Sequence, residues 1–206
     1  MKVNRIFCIG RNYADHVDEL GEAADGDCVV FMKPASCVVA EDEAIHLPKG
    51  KGAVHHEAEL VVMLTGGGRD IDSDEAQDCI AGITLGLDLT LRDLQNTLKA
   101  KSAPWELCKA FDHAAPLGDW KPYLEQDLQA IEFTCHVNGQ LRQHGHTRQM
   151  LYAVRHQISI LSRTWSLQPG DILYTGTPKG VGPLQPGDRI MLASPQIGRF
   201  TWTCSQ

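Results

Sequence analysis

The chain has 206 residues, a length that suits one domain better than an assembly of several. Its 19 Lys and Arg against 26 Asp and Glu leave a formal charge of −7, which argues against a nucleic-acid partner. With 43% hydrophobic and 22% charged residues, the composition is that of a folded globular protein and not of a disordered one.

Frequent glycine and proline punctuate short, often alternating apolar segments, so the expected fold is mainly β with some α. Residues 3–9 suit a first strand, and 12–21 a short polar helix that runs into an acidic loop over 21–27. Short strands are expected at 28–32 and 36–39, then a loop around 47–52. A strong strand follows over 58–64, ended by a turn at Thr65-Gly-Gly-Gly68. Asp72 or Ser73 can cap a helix reaching about Cys79, because a side-chain oxygen there accepts the unpaired N–H groups of a first turn. Residues 80–90 read as a buried strand and 92–99 as a helix. Residues 131–137 alternate and meet Asn138-Gly139, a two-residue hairpin signal because both residues tolerate positive φ. The clearest helix is expected over 150–163, capped by Thr147, with Leu151, Val154, Ile158 and Leu161 on its apolar face. Pro-Gly-Asp occurs at 169–171 and 186–188, turn chemistry followed each time by an apolar β-like run.

The seven cysteines contain no C-x-x-C pair and are odd in number, which reads as free thiols in a reducing cytoplasm. No leader-like stretch opens the sequence, and no apolar run approaches the ~18 residues that span a bilayer. A cytoplasmic protein with no membrane partner is expected, organised as one domain over 1–206.

Five stretches carry residues with possible chemistry. In His55-His-Glu57-Ala-Glu59-Leu60, the two glutamates are two apart on a strand and point to one face. Their Cα atoms would lie about 6–7 Å apart, close enough for both carboxylates to close on one cation. All-oxygen ligands suit a hard cation, Mg²⁺ or Mn²⁺, and the H-E-x-x-H spacing of a zinc site is absent. A wet strand face would explain the same pair. Asp88 stands in an apolar strand, where it is either a third metal ligand or the partner of Arg92 in a buried salt bridge. Lys109 in Lys-Ala-Phe-Asp112 is, by itself, compatible with an ordinary surface lysine. His16 and Glu19 are neighbours on one helical face, where the carboxylate can orient the imidazole. The loop Tyr174-Thr-Gly-Thr177-Pro-Lys-Gly-Val-Gly182 can hold a carboxylate on its backbone N–H groups and Thr177, and matches neither nucleotide-binding glycine pattern.

In order along the chain, Gly10-Arg-Asn-Tyr-x-x-His16-x-x-Glu19, Phe31-x-Lys33-Pro34, His55-His-Glu-Ala-Glu-Leu60, Gly86-x-Asp88-x-Thr90-x-Arg92-Asp-x-Gln95, Lys109-x-Phe-Asp112 and Thr175-Gly-Thr-Pro-x-Gly-Val-Gly182 closely resemble the fumarylacetoacetate hydrolase family. The resemblance spans residues 3–199, and the short length is similar to the acylpyruvase branch. It implies a mixed β-sandwich roll, usually a homodimer. It implies Glu57, Glu59 and Asp88 as ligands of one Mg²⁺ or Mn²⁺, and Lys109 as a catalytic cation. His16 and Glu19 would be a water-activating dyad on a lid over about 12–27 that closes on the ligand. Arg92, Gln95 and Thr177 would contact substrate or support the site. Two positions differ from the family pattern: Ala110 replaces a glycine beside Lys109, and Leu87 a frequent asparagine before Asp88.

The implied substrate is a small 2-oxo acid, and the expected reaction is hydrolysis of an acylpyruvate to pyruvate and a carboxylic acid. The His16–Glu19 pair would deprotonate a water that attacks the distal carbonyl, and the expelled enolate would be stabilised by the cation and Lys109. The alternative reading of the same site is oxaloacetate decarboxylation or keto–enol interconversion, neither of which needs a water nucleophile.

Overall fold

The computed structural model describes residues 2–19 and 28–206. β1 (Arg5–Gly10) leads through α1 (Ala14–Glu19) to β2 (Val29–Pro34) and the short strands β3 (Val38–Val39) and β4 (Ile45–His46). β5 (Val54–His56) and β6 (Ala58–Gly68) are separated only by Glu57, and β7 (Ile80–Leu87) and β8 (Thr90–Leu91) only by Asp88 and Leu89. Two helices follow, α2 (Arg92–Ala100) and α3 (Glu106–Lys109), then the two-residue strands β9 (Ala115–Pro116) and β10 (Lys121–Pro122). The remainder is the hairpin β11 (Glu132–Val137) and β12 (Gln140–His146), helix α4 (Val154–Thr164), and strands β13 (Leu167–Tyr174), β14 (Gly182–Leu184), β15 (Arg189–Ser194) and β16 (Gly198–Ser205). The fold is mainly β.

A six-stranded sheet, ordered β10-β7-β6-β13-β1-β2, forms the centre, and only its β1–β13 pair is parallel. A five-stranded sheet, β12-β11-β15-β16-β4, and a three-stranded one, β14-β5-β8, pack beside it. Strands β1 and β6 are buried on both faces, which is why their sequences read as continuous apolar runs. Phe7, Ile9, Leu60, Val62 and Leu64 point towards Val154, Ile158 and Leu161 of α4. The alternate residues Ile6, Cys8, Val61 and Met63 join Phe31, Ala115 and Leu117 on the opposite side. A third cluster joins Leu85, Leu87 and Leu91 to the five-stranded sheet through Cys135, Leu192 and Trp202. Each such leucine or isoleucine taken from water contributes roughly 1.5–3 kcal/mol before chain entropy is counted.

Several expectations are corrected by the structure. Thr65-Gly-Gly-Gly68 does not end β6; the strand runs on to Gly68 with shifted register against Leu167 and Pro169 of β13. Gly66, Gly67 and Gly68 have φ of 122°, 127° and 80°, values that only glycine takes readily, so the triplet is a bulge rather than a turn. Residues 35–37 form a 3₁₀ turn, leaving strand only at 38–39. The expected helix to Cys79 is a single 3₁₀ turn, Ala76–Cys79, with no side-chain cap from Asp72 or Ser73.

Helix α4 begins at Val154, four residues late. Asn12 is the cause: its carbonyl accepts the Leu151 N–H at 2.8 Å and its Oδ1 accepts the Tyr152 N–H at 2.7 Å. Those donors are thereby held out of a helix, and Leu151 is left 45% exposed instead of on the apolar face. Thr147 caps nothing there; its hydroxyl accepts from Ile131 N at 3.0 Å and donates to Ile131 O. The Asn138-Gly139 hairpin is as expected, with φ of 53° and 77°. Of the two Pro-Gly-Asp motifs, 186–188 lies in the turn before β15, but 169–171 lies inside β13.

Among the described residues the cysteines form no disulfide, and no helix is long and apolar enough to cross a membrane. The expected helix over 12–21 is α1 at 14–19. The acidic loop over 21–27, with the rest of the expected lid, lies outside the described residues.

Candidate metal and active site

Two strand breaks build the centre of the site. Glu57 occupies the one-residue gap between β5 and β6, and Asp88 follows the end of β7. The breaks are stitched together, because the Asp88 N–H donates to the Glu57 carbonyl at 2.8 Å. Glu59, two residues on in β6, faces the same way. Carboxylate oxygens of Glu57, Glu59 and Asp88 all lie within 4.8 Å of one another, and all three residues are buried.

Three cations surround this cluster. Lys109, the last residue of α3, donates from Nζ to Glu57 Oε2 and to Asp88 Oδ2, each at 2.7 Å. Arg92, the first residue of α2, donates from Nη2 to Glu57 Oε1 at 2.5 Å and from Nη1 to Gln95 Oε1 at 2.5 Å. The buried salt bridge open to Asp88 is therefore made with lysines, and Arg92 serves Glu57 instead. The third cation, Lys33 of β2, was not assigned a role from sequence. It is 1% exposed and donates to the carbonyls of Leu89, Ala114 and Lys109. Its Nζ also stands 2.7 Å from Asp88 Oδ1. Three carbonyls use the three N–H groups of Lys33, so Asp88 Oδ1 faces it through charge alone and has no hydrogen-bond donor. The available signal was a lysine inside the apolar strand sequence Val-Val-Phe-Met-Lys33-Pro.

The electrostatics fit a missing positive charge. Burial tends to raise the Glu57 carboxyl, but Lys109 and Arg92 outweigh it and hold the group well below the usual carboxylate range. Burial also acts to lower Lys109, and Asp88 and Glu57 overcome it to push the ammonium above its ordinary value. Glu59 goes the other way. Burial first, and then the negative charge of Asp88, raise its carboxyl well above the ordinary value. No ion pair among the described residues includes Glu59, and its Oε2 accepts one backbone N–H, from Gly176 at 2.7 Å. A divalent cation among these carboxylates would satisfy the orphaned Asp88 Oδ1 and let Glu59 ionise, and the all-oxygen set suits a hard ion.

The loop after β13 closes one wall. Gly176 has φ of 104°, which aims its N–H at Glu59, and a Cβ there would lie 2.7 Å from Cβ of Asn12. Thr177 Oγ1 donates to the Ala58 carbonyl at 2.9 Å and accepts from Gln143 Nε2 at 2.8 Å. Gln143, absent from the sequence-derived set, is buried on β12 and satisfies four groups at once. Its Nε2 also donates to the Pro178 carbonyl, and its Oε1 accepts from Ala58 N and faces His56 Nδ1 at 2.9 Å. Gln143→Leu should cost about 2–4 kcal/mol, because it orphans several buried polar groups, and urea unfolding measures it. An unchanged midpoint would show that these bonds are dispensable.

Helix α1 caps the cavity. His16 Nδ1 is 3.1 Å from Glu19 Oε2, and His16 is buried. The Glu19 carboxylate accepts the Gly180 N–H at 3.0 and 3.2 Å, and Lys179 pairs with Asp15 at 3.0 Å. All the sequence-derived residues except Glu19 line one cavity, and Glu19 reaches it through His16. The cavity wall also includes Arg11, Phe31, Lys99 and Trp105. Ala110 has φ of −112°, which alanine adopts without strain, and Leu87 is fully buried in the apolar core.

The family profile described as fumarylacetoacetate (FAA) hydrolase C-terminal matches residues 5–204. The chain belongs to the fumarylacetoacetate hydrolase family. It is 41% identical over 188 residues to the mitochondrial oxaloacetate decarboxylase of Dictyostelium discoideum, covering 90% of this chain and 86% of that one. To the oxaloacetate tautomerase YcgM of Escherichia coli it is 39% identical over 190 residues, covering 91% and 87%. The crystal structure of fumarylpyruvate hydrolase from Pseudomonas aeruginosa, in complex with Mn²⁺ and pyruvate, superposes with a TM-score of 0.93 at 36% identity, covering 98% of this chain and 90% of that one. The mixed β-sandwich roll inferred from the motifs is thus the family fold, and the buried carboxylates are its candidate divalent-cation site.

Proposed function

We propose that this family member acts on oxaloacetate, interconverting its keto and enol forms or releasing CO₂ from it, with one divalent cation as cofactor. The observation that carries this reading is the meeting, in one buried cavity, of the carboxylate cluster, the Lys109 ammonium and the His16 imidazole. The similarity to oxaloacetate decarboxylase and tautomerase sequences reverses the order of the two reactions expected from the motifs alone.

Glu57, Glu59 and Asp88 would hold the cation, Mg²⁺ or Mn²⁺, which supplies Lewis-acid stabilisation of negative charge on the 2-oxo oxygen of the substrate. Lys109, fixed by two carboxylates, places a second positive charge beside that oxygen without reorganising. Arg92 orients Glu57, and Gln95 holds Arg92. The Nδ1 of His16 is engaged by Glu19, which leaves Nε2 as the atom that exchanges protons with substrate. In keto–enol interconversion, His16 would take the proton from C3. In decarboxylation the C3–C4 bond breaks, CO₂ leaves, and His16 would return a proton to C3.

Hydrolysis of an acylpyruvate is the second reading, favoured by the same dyad, which can equally deprotonate a water, and by the likeness to fumarylpyruvate hydrolase. The test is a three-way assay with Mg²⁺ and then with excess chelator. Enol absorbance and pyruvate release are followed from oxaloacetate, and pyruvate release from acetylpyruvate. Chelator-sensitive turnover of oxaloacetate is expected. Chelator-sensitive cleavage of acetylpyruvate, with oxaloacetate untouched, would replace the first reading by the second. In either case His16→Ala should lower turnover about 10²-fold or more while the melting temperature holds.

A further inference from the structure

Asn12 lies between β1 and α1, is 1% exposed, and uses both N–H groups and the carbonyl of its side chain. Its Oδ1 accepts the Tyr152 N–H at 2.7 Å. Its Nδ2 donates one N–H to the Tyr152 carbonyl at 3.1 Å and the other to the Thr175 carbonyl at 2.7 Å. The bonds to Tyr152 account for where α4 starts. The bond to Thr175 does not, and it leads into the site.

The Thr175 carbonyl and the Gly176 N–H are the two ends of one peptide unit. In a trans peptide they point to opposite sides of a rigid plane. Asn12 holds the carbonyl end, and Glu59 Oε2 holds the N–H end at 2.7 Å. The other donor to that carbonyl, Gln157 Nε2, reaches it only at 3.4 Å. Glycine at φ of 104° brings little backbone preference of its own, so the direction of the plane is set by what grips its ends. Glu59 has no ion pair among the described residues, and this N–H is what orients its carboxylate. In the other direction the chain reaches His16 four residues after Asn12. The Tyr13 carbonyl accepts the His16 N–H at 3.1 Å and closes the first turn of α1, and Tyr13 is itself buried.

We propose that Asn12 is a positioning residue for both halves of the site. Through the Thr175–Gly176 peptide it fixes Glu59 for the cation, and through the start of α1 it fixes His16 in the same cavity. The inference rests on the reading of Glu57, Glu59 and Asp88 as a cation site, and it is independent of which reaction that site performs.

The test is the dissociation constant of Mn²⁺, measured by calorimetry on the wild type, Asn12→Ala and Asp171→Ala. Changing the groups that orient a metal ligand costs about 10–100-fold in affinity, so Asn12→Ala should weaken Mn²⁺ about tenfold or more. Asp171→Ala removes a buried carboxylate bound to Asn4 and Arg5, outside the cavity lining, and should stay within about twofold. A general loosening of the fold would move both. At saturating Mn²⁺, Asn12→Ala should still turn over the better of oxaloacetate and acetylpyruvate with a kcat about tenfold lower, because the cation reorders Glu59 and not His16. Asn12→Ser keeps one donor and should lose less in both measurements; it decides should Asn12→Ala fail to fold. Adding Gly176→Ala to Asn12→Ala should weaken Mn²⁺ no further than the stronger single change, since both disturb one peptide. A Mn²⁺ constant within about twofold of wild type in the Asn12 variants, losses that add in the double variant, or an unchanged kcat would each overturn the inference and leave the cation site standing. A wild type that binds no Mn²⁺ would overturn both.

Discussion

Lys109→Met should lower turnover about 10²–10³-fold while leaving a protein whose stability depends on added divalent cation. The Lys109 ammonium bridges Glu57 Oε2 and Asp88 Oδ2 at 2.7 Å each, in a fully buried setting. Removing one member of a buried charge pair costs about 3–5 kcal/mol, because the remaining charges stay desolvated without a partner. Mg²⁺ or Mn²⁺ would neutralise the same carboxylates, and a ligand at 100 times its dissociation constant restores about 2.7 kcal/mol. Thermal melts with and without cation should therefore differ more for the variant than for the wild type. Turnover should not return with the cation. A charge lost beside a developing oxyanion typically costs about 10²–10³ in rate. Full activity at saturating cation would remove Lys109 from the chemistry and leave it a structural role only.

The second large effect concerns stability at a distance from the site. Asp171 is 0% exposed and accepts hydrogen bonds from Arg5 Nε at 3.0 Å, Arg5 Nη2 at 2.5 Å, Asn4 Nδ2 at 2.9 Å and Gln168 N at 2.8 Å. One carboxylate thus ties the start of β1 to the irregular first half of β13, the only parallel pair in the central sheet. Asp171→Ala removes the one buried acceptor shared by these partly exposed donors and should cost about 3 kcal/mol. For a domain of about 200 residues that corresponds to a fall of roughly 6–12 °C in Tm. The KM of the folded fraction should be unchanged. A melting temperature within a degree of wild type would show that water replaces the carboxylate without loss.

The same aspartate shows why local patterns mislead. Pro-Gly-Asp at 169–171 and at 186–188 are identical tripeptides, and reading both as turns is the natural inference. The second is a turn, with Asp188 accepting from Gln185 N and Asn138. The first is drawn into a sheet, because the apolar residues beyond it pair with both β1 and β6. Local turn chemistry is worth about one hydrogen bond, and a strand buried on both sides outweighs it. The same competition explains the late start of α4, where Asn12, about 140 residues away, takes the N–H groups that a helix would need. It also explains Thr65-Gly-Gly-Gly68, where glycine provides a bulge inside a strand instead of a stop.

The candidate site was legible to a larger extent than the helix boundaries. Glu57, Glu59, Asp88 and His16 stood out by residue type and spacing, with plainer readings left open, while Lys109, Arg92, Gln95 and Thr177 took their roles from the resemblance to the family; all eight line one cavity. Lys33 was named in a motif but given no role, and Gln143 was not picked out. Each acts through bonds to segments far away in sequence: Lys33 to Leu89, Lys109 and Ala114, and Gln143 to Ala58, Thr177 and Pro178. No local pattern encodes such partners.

By itself, the sequence determined the β-rich class and the Asn138-Gly139 hairpin, and its ordered motifs supplied a set of candidate site residues. The first two follow from residue type and local alternation, which are properties of neighbouring positions, and the third rests on the resemblance to the family. Only the tertiary structure decided which cation meets which carboxylate, why Glu59 is left needing a positive charge, and that Arg11 and Lys99 share a wall with the cluster. Those outcomes depend on distances between segments up to a hundred or more residues apart. Burial sets their energetic weight, because a charge removed from water must find its partner wherever the fold has placed one.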